Sequence, residues 1–103
     1  MNKAIEISAE DIAFIMSSCS AEFEQEKSGV ACRGENHRLR SIAVKTAWLN
    51  EKGDLILDGC CKSCSYRMSK YIDCRQWPEA RERALYIREL KVKLFKNARI
   101  RPR

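Results

Sequence analysis

The stretch Gly59-Cys60-Cys61-Lys62-Ser63-Cys64 places three thiols within five positions, and its reading decides the architecture. Cys61 and Cys64 have the C-x-x-C spacing, which a tight turn brings onto one metal ion and which also serves redox disulfides. A thiol–disulfide enzyme carries that motif at the start of a helix in a larger α/β sheet, and too few strands are legible here to build one. The amino terminus, residues 1–8, lacks the apolar run and small-residue cleavage site of a secretory signal, which implies the reducing cytoplasm, where structural disulfides are rare. The six cysteines therefore read as metal ligands with leftovers rather than as three bridges.

Zinc takes four ligands in a tetrahedron, and thiolates suit it. Beyond Cys61 and Cys64, a third donor is expected from Cys74, one short element downstream, and a fourth from Cys32 in a glycine-flanked loop. His37 in the same loop is the alternate for Cys32. Cys60 is the alternate for Cys61, because adjacent residues seldom both reach one ion. Such a structural zinc contributes on the order of 10 kcal/mol of apparent folding free energy. That is comparable with the whole stability of a small domain, about 5–15 kcal/mol. The order Cys32, Cys61-x-x-Cys64, Cys74 resembles in spacing the small WhiB-like regulators, which implies an iron–sulfur cluster as the alternative cargo. The last gap is longer here, and the glycine-tryptophan turn of that family is absent.

Outward from the thiols, the chain of 103 residues fits one domain spanning 1–103. Ser8 stands three residues before Asp11 as a capping box, and Ile12, Ile15, Met16, Cys19 and Phe23 then form one apolar stripe, predicting a helix over about 9–27 that stops at Ser28-Gly29. Cys19 belongs to that stripe and reads as core. Residues 29–38 read as a loop. Alternation at 42–48, the Asn50-Glu51-Lys52-Gly53 turn and the Leu55/Leu57 pair favour a hairpin of 41–49 with 54–58, although 39–47 also fits one helical face. Residues 65–73 have the composition of a short helix. Trp77-Pro78-Glu79 opens a last helix to about Asn97, with Ala80, Ala84, Ile87, Leu90, Leu94 and Ala98 facing the core and a frayed tail at 99–103. The expected fold is a small zinc-stapled α+β domain: amino-terminal helix, β-hairpin, zinc knuckle with a short helix, and a long basic carboxy-terminal helix.

The net charge of +6 is unevenly spread. Residues 1–30 carry six acids and two bases, residues 31–74 eight bases and five acids, and residues 75–103 ten bases and three acids. On the last helix Glu79 pairs with Arg83 and Glu89 with Lys93 at i,i+4, leaving Arg81, Arg88, Lys96 and Arg99 unmatched on the side away from the core, with Leu85 and Val92 between them. This basic ridge suits phosphates, and Arg67 and Lys70 would extend it. His37 is the single candidate base, no phosphate-cradling glycine loop or H-E-x-x-H occurs, and no apolar run spans a bilayer, so neither an enzyme nor a membrane protein is expected. The composition implies a non-enzymatic, zinc-containing, nucleic-acid-associated module, a small transcriptional regulator of the bacterial or phage kind. The alternative is a protein-binding adaptor or inhibitor acting on the transcription machinery or another complex.

Overall fold

Alternating apolar residues organise the middle of the chain. The computed structural model describes residues 4–94 and 100–101. In chain order the elements are β1 (Ala4–Ile7), α1 (Ala9–Ile15), α2 (Ser20–Ser28), β2 (Val30–Cys32), β3 (Arg38–Arg40), β4 (Ile42–Leu49), β5 (Leu55–Cys61), β6 (Arg67–Ile72), α3 (Pro78–Leu94) and β7 (Ile100–Arg101). Single 3-10 turns occupy Arg33–Glu35 and Cys74–Gln76. The result is a small α+β domain, with three α-helices and two antiparallel sheets among the described residues. The larger sheet has the order β6-β5-β4-β1-β7, and β2 with β3 forms a separate two-stranded ribbon.

The β4–β5 hairpin forms as its alternation predicts. Asn50 closes it: its side-chain oxygen accepts from the amides of Lys52 and Asp54, both at 2.9 Å, and Gly53 takes the left-handed conformation at φ 82°. Buried Leu55 and Leu57 face Leu49 and Ala47 across the ladder. Each such leucine contributes about 1.5–3 kcal/mol by leaving water. Beside the cysteines the register shifts between Val44 and Thr46, and Gly59 lies opposite Val44. A Cβ at Gly59 would stand 1.9 Å from the Ala43 carbonyl oxygen, so the two strands approach too closely there for any side chain.

Helices cover the sheet. Ile15 from α1, Met16 just past its end and Phe23 from α2, with Ala80 and Ala84 from α3, join Leu49, Leu55, Leu57 and Ile72 in one core, and Cys19 lies within it as its stripe implies. The capping box is present: Ser8 Oγ accepts from the Asp11 amide and Asp11 Oδ2 accepts from the Ser8 amide. No helix among the described residues is long and apolar enough to cross a membrane.

Four expectations are corrected. The helix over 9–27 is two helices, because Ser17 Oγ donates to the Phe14 carbonyl at 2.9 Å and the chain turns at residues 16–19 before α2 begins. Residues 29–38 are not all loop, since Val30–Cys32 pairs with Arg38–Arg40. Residues 65–73 hold strand β6 rather than a short helix; the open edge of β5 supplies a full ladder, from Leu55↔Ile72 to Cys60↔Arg67. The tail at 99–103 does not simply fray: Ile100 and Arg101 form β7 against Ile5 and Ala4 of β1, while the end of the last helix near Asn97 lies outside the described residues.

Candidate metal centre

Two turns of the same design meet beside the β2–β3 ribbon. In the second, Cys61 ends β5, the chain reverses through Lys62, Ser63 and Cys64, and Ser65 takes a left-handed conformation at φ 65°. Its closure is fixed by backbone bonds, Ser65 N to Cys61 O at 2.9 Å and Cys61 N to Tyr66 O at 2.8 Å. In the first turn, Cys32 ends β2, the chain reverses through Arg33, Gly34 and Glu35, and Asn36 and His37 are left-handed at φ 59° and 62°. The His37 amide returns to the Cys32 carbonyl at 2.8 Å. Cys32-x-x-Glu35 thus repeats the spacing of Cys61-x-x-Cys64, with a carboxylate where the second turn has a thiol.

The four side chains converge. One ligand atom from each of Cys32, Glu35, Cys61 and Cys64 lies within 4.8 Å of the others, and the group could hold a metal ion. Cys32 Sγ is 3.5 Å from Cys64 Sγ, and the Cys61 thiol donates to Glu35 Oε2 at 3.3 Å. The other carboxylate oxygen of Glu35 accepts from Arg40 Nε at 3.1 Å, an outer contact that orients the carboxylate. Cys32 and Cys61 are buried, Glu35 is half-buried and Cys64 is exposed.

Backbone amides set the thiol electrostatics. Burial pushes the Cys61 thiol up, but bonds from the backbone of Cys64 and Ser63 more than offset it and leave it below the ordinary thiol value. A bond from the Tyr66 backbone would lower Cys64; burial and its contacts with Cys32 and Cys61 overcome that and push it up to about 11. Glu35 is held below the usual carboxylate range by its bonds from Cys61 and Arg40.

The other candidate donors lie elsewhere. Cys74 does not join the group: it is buried in the core beyond β6, its amide donating to Asp54 Oδ1 at 2.9 Å, and burial in apolar surroundings pushes its thiol up to about 12. Glu35 stands in the group where Cys74 was expected, as the fourth residue that could hold an ion. Residue spacing alone carried the signal, because Cys-x-x-Glu followed by the left-handed-tolerant Asn36 matches Cys-x-x-Cys followed by Ser65. His37 is exposed just past the first turn, and Cys60 sits half-buried on β5 opposite Ala43 and Arg67; neither belongs to the group.

The basic ridge of the last helix is also arranged differently. Arg81 Nε donates to the Lys52 carbonyl at 3.2 Å and Arg88 Nη1 to the Leu49 carbonyl at 3.1 Å, so both lie along the β4–β5 end rather than facing outward. Leu85 packs beside Gly53, and burial lowers the Arg88 guanidinium from its ordinary value. Val92 is exposed. The side chains of Lys96 and Arg99 lie outside the described residues. The expected pairs Glu79–Arg83 and Glu89–Lys93 are present at 3.9 and 2.9 Å.

Fold and site together define a small α+β domain whose Cys/Glu group could hold a metal ion. Comparison with family models, curated proteins and solved structures finds no match for this chain.

Proposed function

We propose that this chain is a non-enzymatic, zinc-stapled module that associates with nucleic acid. Zinc is favoured by the donor set: three thiolates and one carboxylate are ordinary zinc ligands, and four protein donors complete a tetrahedron without an open position for substrate. The role that follows is structural, tying the β2–β3 ribbon to the end of the main sheet. The observation that carries the nucleic-acid reading is the charge around these two turns. Residues 32–40 and 61–67 contain five cations, and their one carboxylate, Glu35, already faces Arg40 and Cys61.

Native mass spectrometry of the reduced chain, with and without chelator, tests the metal, with one zinc per chain expected. Binding to generic oligonucleotides across a salt series tests the second part: affinity falling steeply with salt supports it, and no binding at low ionic strength overturns it. A second reading, a protein-binding adaptor, is favoured by one feature, the exposed rings of Phe14 and Tyr86 whose centroids lie 6.4 Å apart between α1 and α3. Phe14→Asp would impair such an interface and leave oligonucleotide binding unchanged.

A further inference from the structure

We infer that the two metal-turns form a binding surface for single-stranded nucleic acid, with Arg33 and Arg38 on a phosphate and Tyr66 beneath a base. This rests on the nucleic-acid reading above and specifies where and how that contact is made.

The fold separates committed cations from uncommitted ones. On α3, Arg81 and Arg88 donate to backbone carbonyls, and Arg83 donates to the Ile15 carbonyl and to Ser18 Oγ. Lys91 pairs with Asp11 and Lys93 with Glu89. Every described cation of that helix is therefore engaged within the chain. Around the Cys/Glu group the opposite holds: the side chains of Arg33, Arg38, Lys62 and Arg67 are exposed and have no partner among the described residues. Four cations left unneutralised at one end repel one another, and a polyanion relieves that repulsion.

Geometry narrows the class of polyanion. The left-handed pair Asn36–His37 folds the chain back so that Cys32 faces Arg38 across the ribbon. Arg33 and Arg38 consequently line one shallow hollow of about 380 Å³ with Gly34, Glu35 and Asn36. Two guanidinium forks on one hollow suit a phosphate, to which each can donate in pairs. Beside them Tyr66 lies against Gly34; three of its carbons are 2.9 Å from where a Cβ of residue 34 would stand. Only glycine permits that contact, and Tyr66 remains 47% exposed, with Leu39 of β3 64% exposed. A planar ring offered to solvent next to phosphate-binding cations is a stacking platform for an unpaired base. A duplex keeps its bases stacked inside and gives the ring nothing to cover. An acidic peptide would satisfy the arginines but leave the platform unused.

The test is fluorescence anisotropy of the zinc-loaded full chain with labelled single strands of about 12 nucleotides, the size range of one small binding domain, across a salt series. Arg33→Glu with Arg38→Glu is expected to weaken binding and to reduce the slope of log affinity against log salt by about 1.4, two phosphate contacts at ~0.7 each. Tyr66→Ala is expected to weaken binding about 5- to 100-fold with the slope unchanged, and Tyr66→Phe to restore it. Metal content and melting temperature of each variant report that the fold is intact. Should no nucleic acid bind at low salt, the parent reading fails. Should strands bind while these variants match the wild type, or Arg81→Gln with Arg88→Gln abolish binding instead, the surface assignment alone is overturned. Preference for duplex overturns the single-strand mode, and polyglutamate competing as well as an oligonucleotide overturns it in favour of an acidic protein.

Discussion

Cys32 Sγ and Cys64 Sγ lie 3.5 Å apart although they stand 32 positions apart in the chain. The contact joins two sheets that form no common ladder, although Val30 of β2 packs into the same core as the main sheet. Cys32 and Cys61 also line the core that holds Leu55, Leu57, Phe23 and Ala80, so a metal held there would be a long-range staple at one end of a core with many other members.

Removing the metal should therefore weaken the fold without erasing it. Chelation of the reduced chain is expected to lower the melting temperature by about 10 °C or more, on the scale of 4–8 °C per kcal/mol for a domain of this size. The helical circular-dichroism signal below the transition should persist. Differential scanning calorimetry with and without chelator measures the first, and an unchanged melting temperature refutes the staple.

Glu35 is expected to behave as a ligand and Cys74 as core. Glu35→Ala should lower zinc affinity at least about tenfold, whereas Glu35→Cys should preserve one zinc per chain and resist chelator better than the wild type. Cys74→Ala should leave the stoichiometry unchanged. Competition with a chromophoric chelator reads all three.

Asp54 is the buried acid of the β4–β5 end, 3% exposed, and it accepts from the Cys74 amide and the Tyr71 hydroxyl. Asp54→Ala strands the buried Cys74 amide, while the half-exposed Tyr71 hydroxyl can turn to water, and should cost about 1–3 kcal/mol in urea unfolding. The carboxylate also pushes the Tyr71 hydroxyl above its ordinary value, so that tyrosine should titrate at lower pH in Asp54→Asn.

Acid should act through Asp73. Its hydrogen bonds from Arg75, the closest 2.7 Å, hold its carboxyl at about 2, against an ordinary 3.8. Between those values the unfolded chain binds more protons than the native one, so the contribution is present above about pH 4 and lost as pH falls toward 2. Arg75→Ala should melt lower than wild type at neutral pH, and the difference should vanish near pH 2. Both are compared in chelator, so that thiolate protonation does not enter.

The parts legible in the sequence are those decided by neighbours along the chain. Ile42, Leu55 and Leu57 alternate, and Asn50 with Gly53 makes a turn, so the hairpin needs no remote information. The Cys61-x-x-Cys64 turn is likewise local. What was not legible depends on distant partners. Met68 and Ile72 stand four apart and suit a helix equally well; only the unfilled edge of β5 makes them a strand. Glu35 looks like any surface acid until the ribbon carries it to Cys61. Cys74 has the right chemistry for a ligand, but Asp54 holds its amide on the far side of β6. Helical spacing sets Arg81 about 100° from Ala80 but Arg88 only about 40° from Ala84, and it cannot register that the carbonyls of Lys52 and Leu49 wait beside that face.

The place of β1, inside the sheet between β4 and β7, bears on the order of assembly. It pairs with β4 at Ile5↔Leu49 and Ile7↔Ala47, across about forty residues, while β4, β5 and β6 are joined by short connections. Loop closure makes the meander the earlier product and β1 the latecomer. During that interval Ala47 and Leu49 line a bare, apolar ladder edge, the template on which two incomplete chains zip together. Docking of Ala4–Ile7 covers that edge with the ladder Ile5↔Leu49 to Ile7↔Ala47.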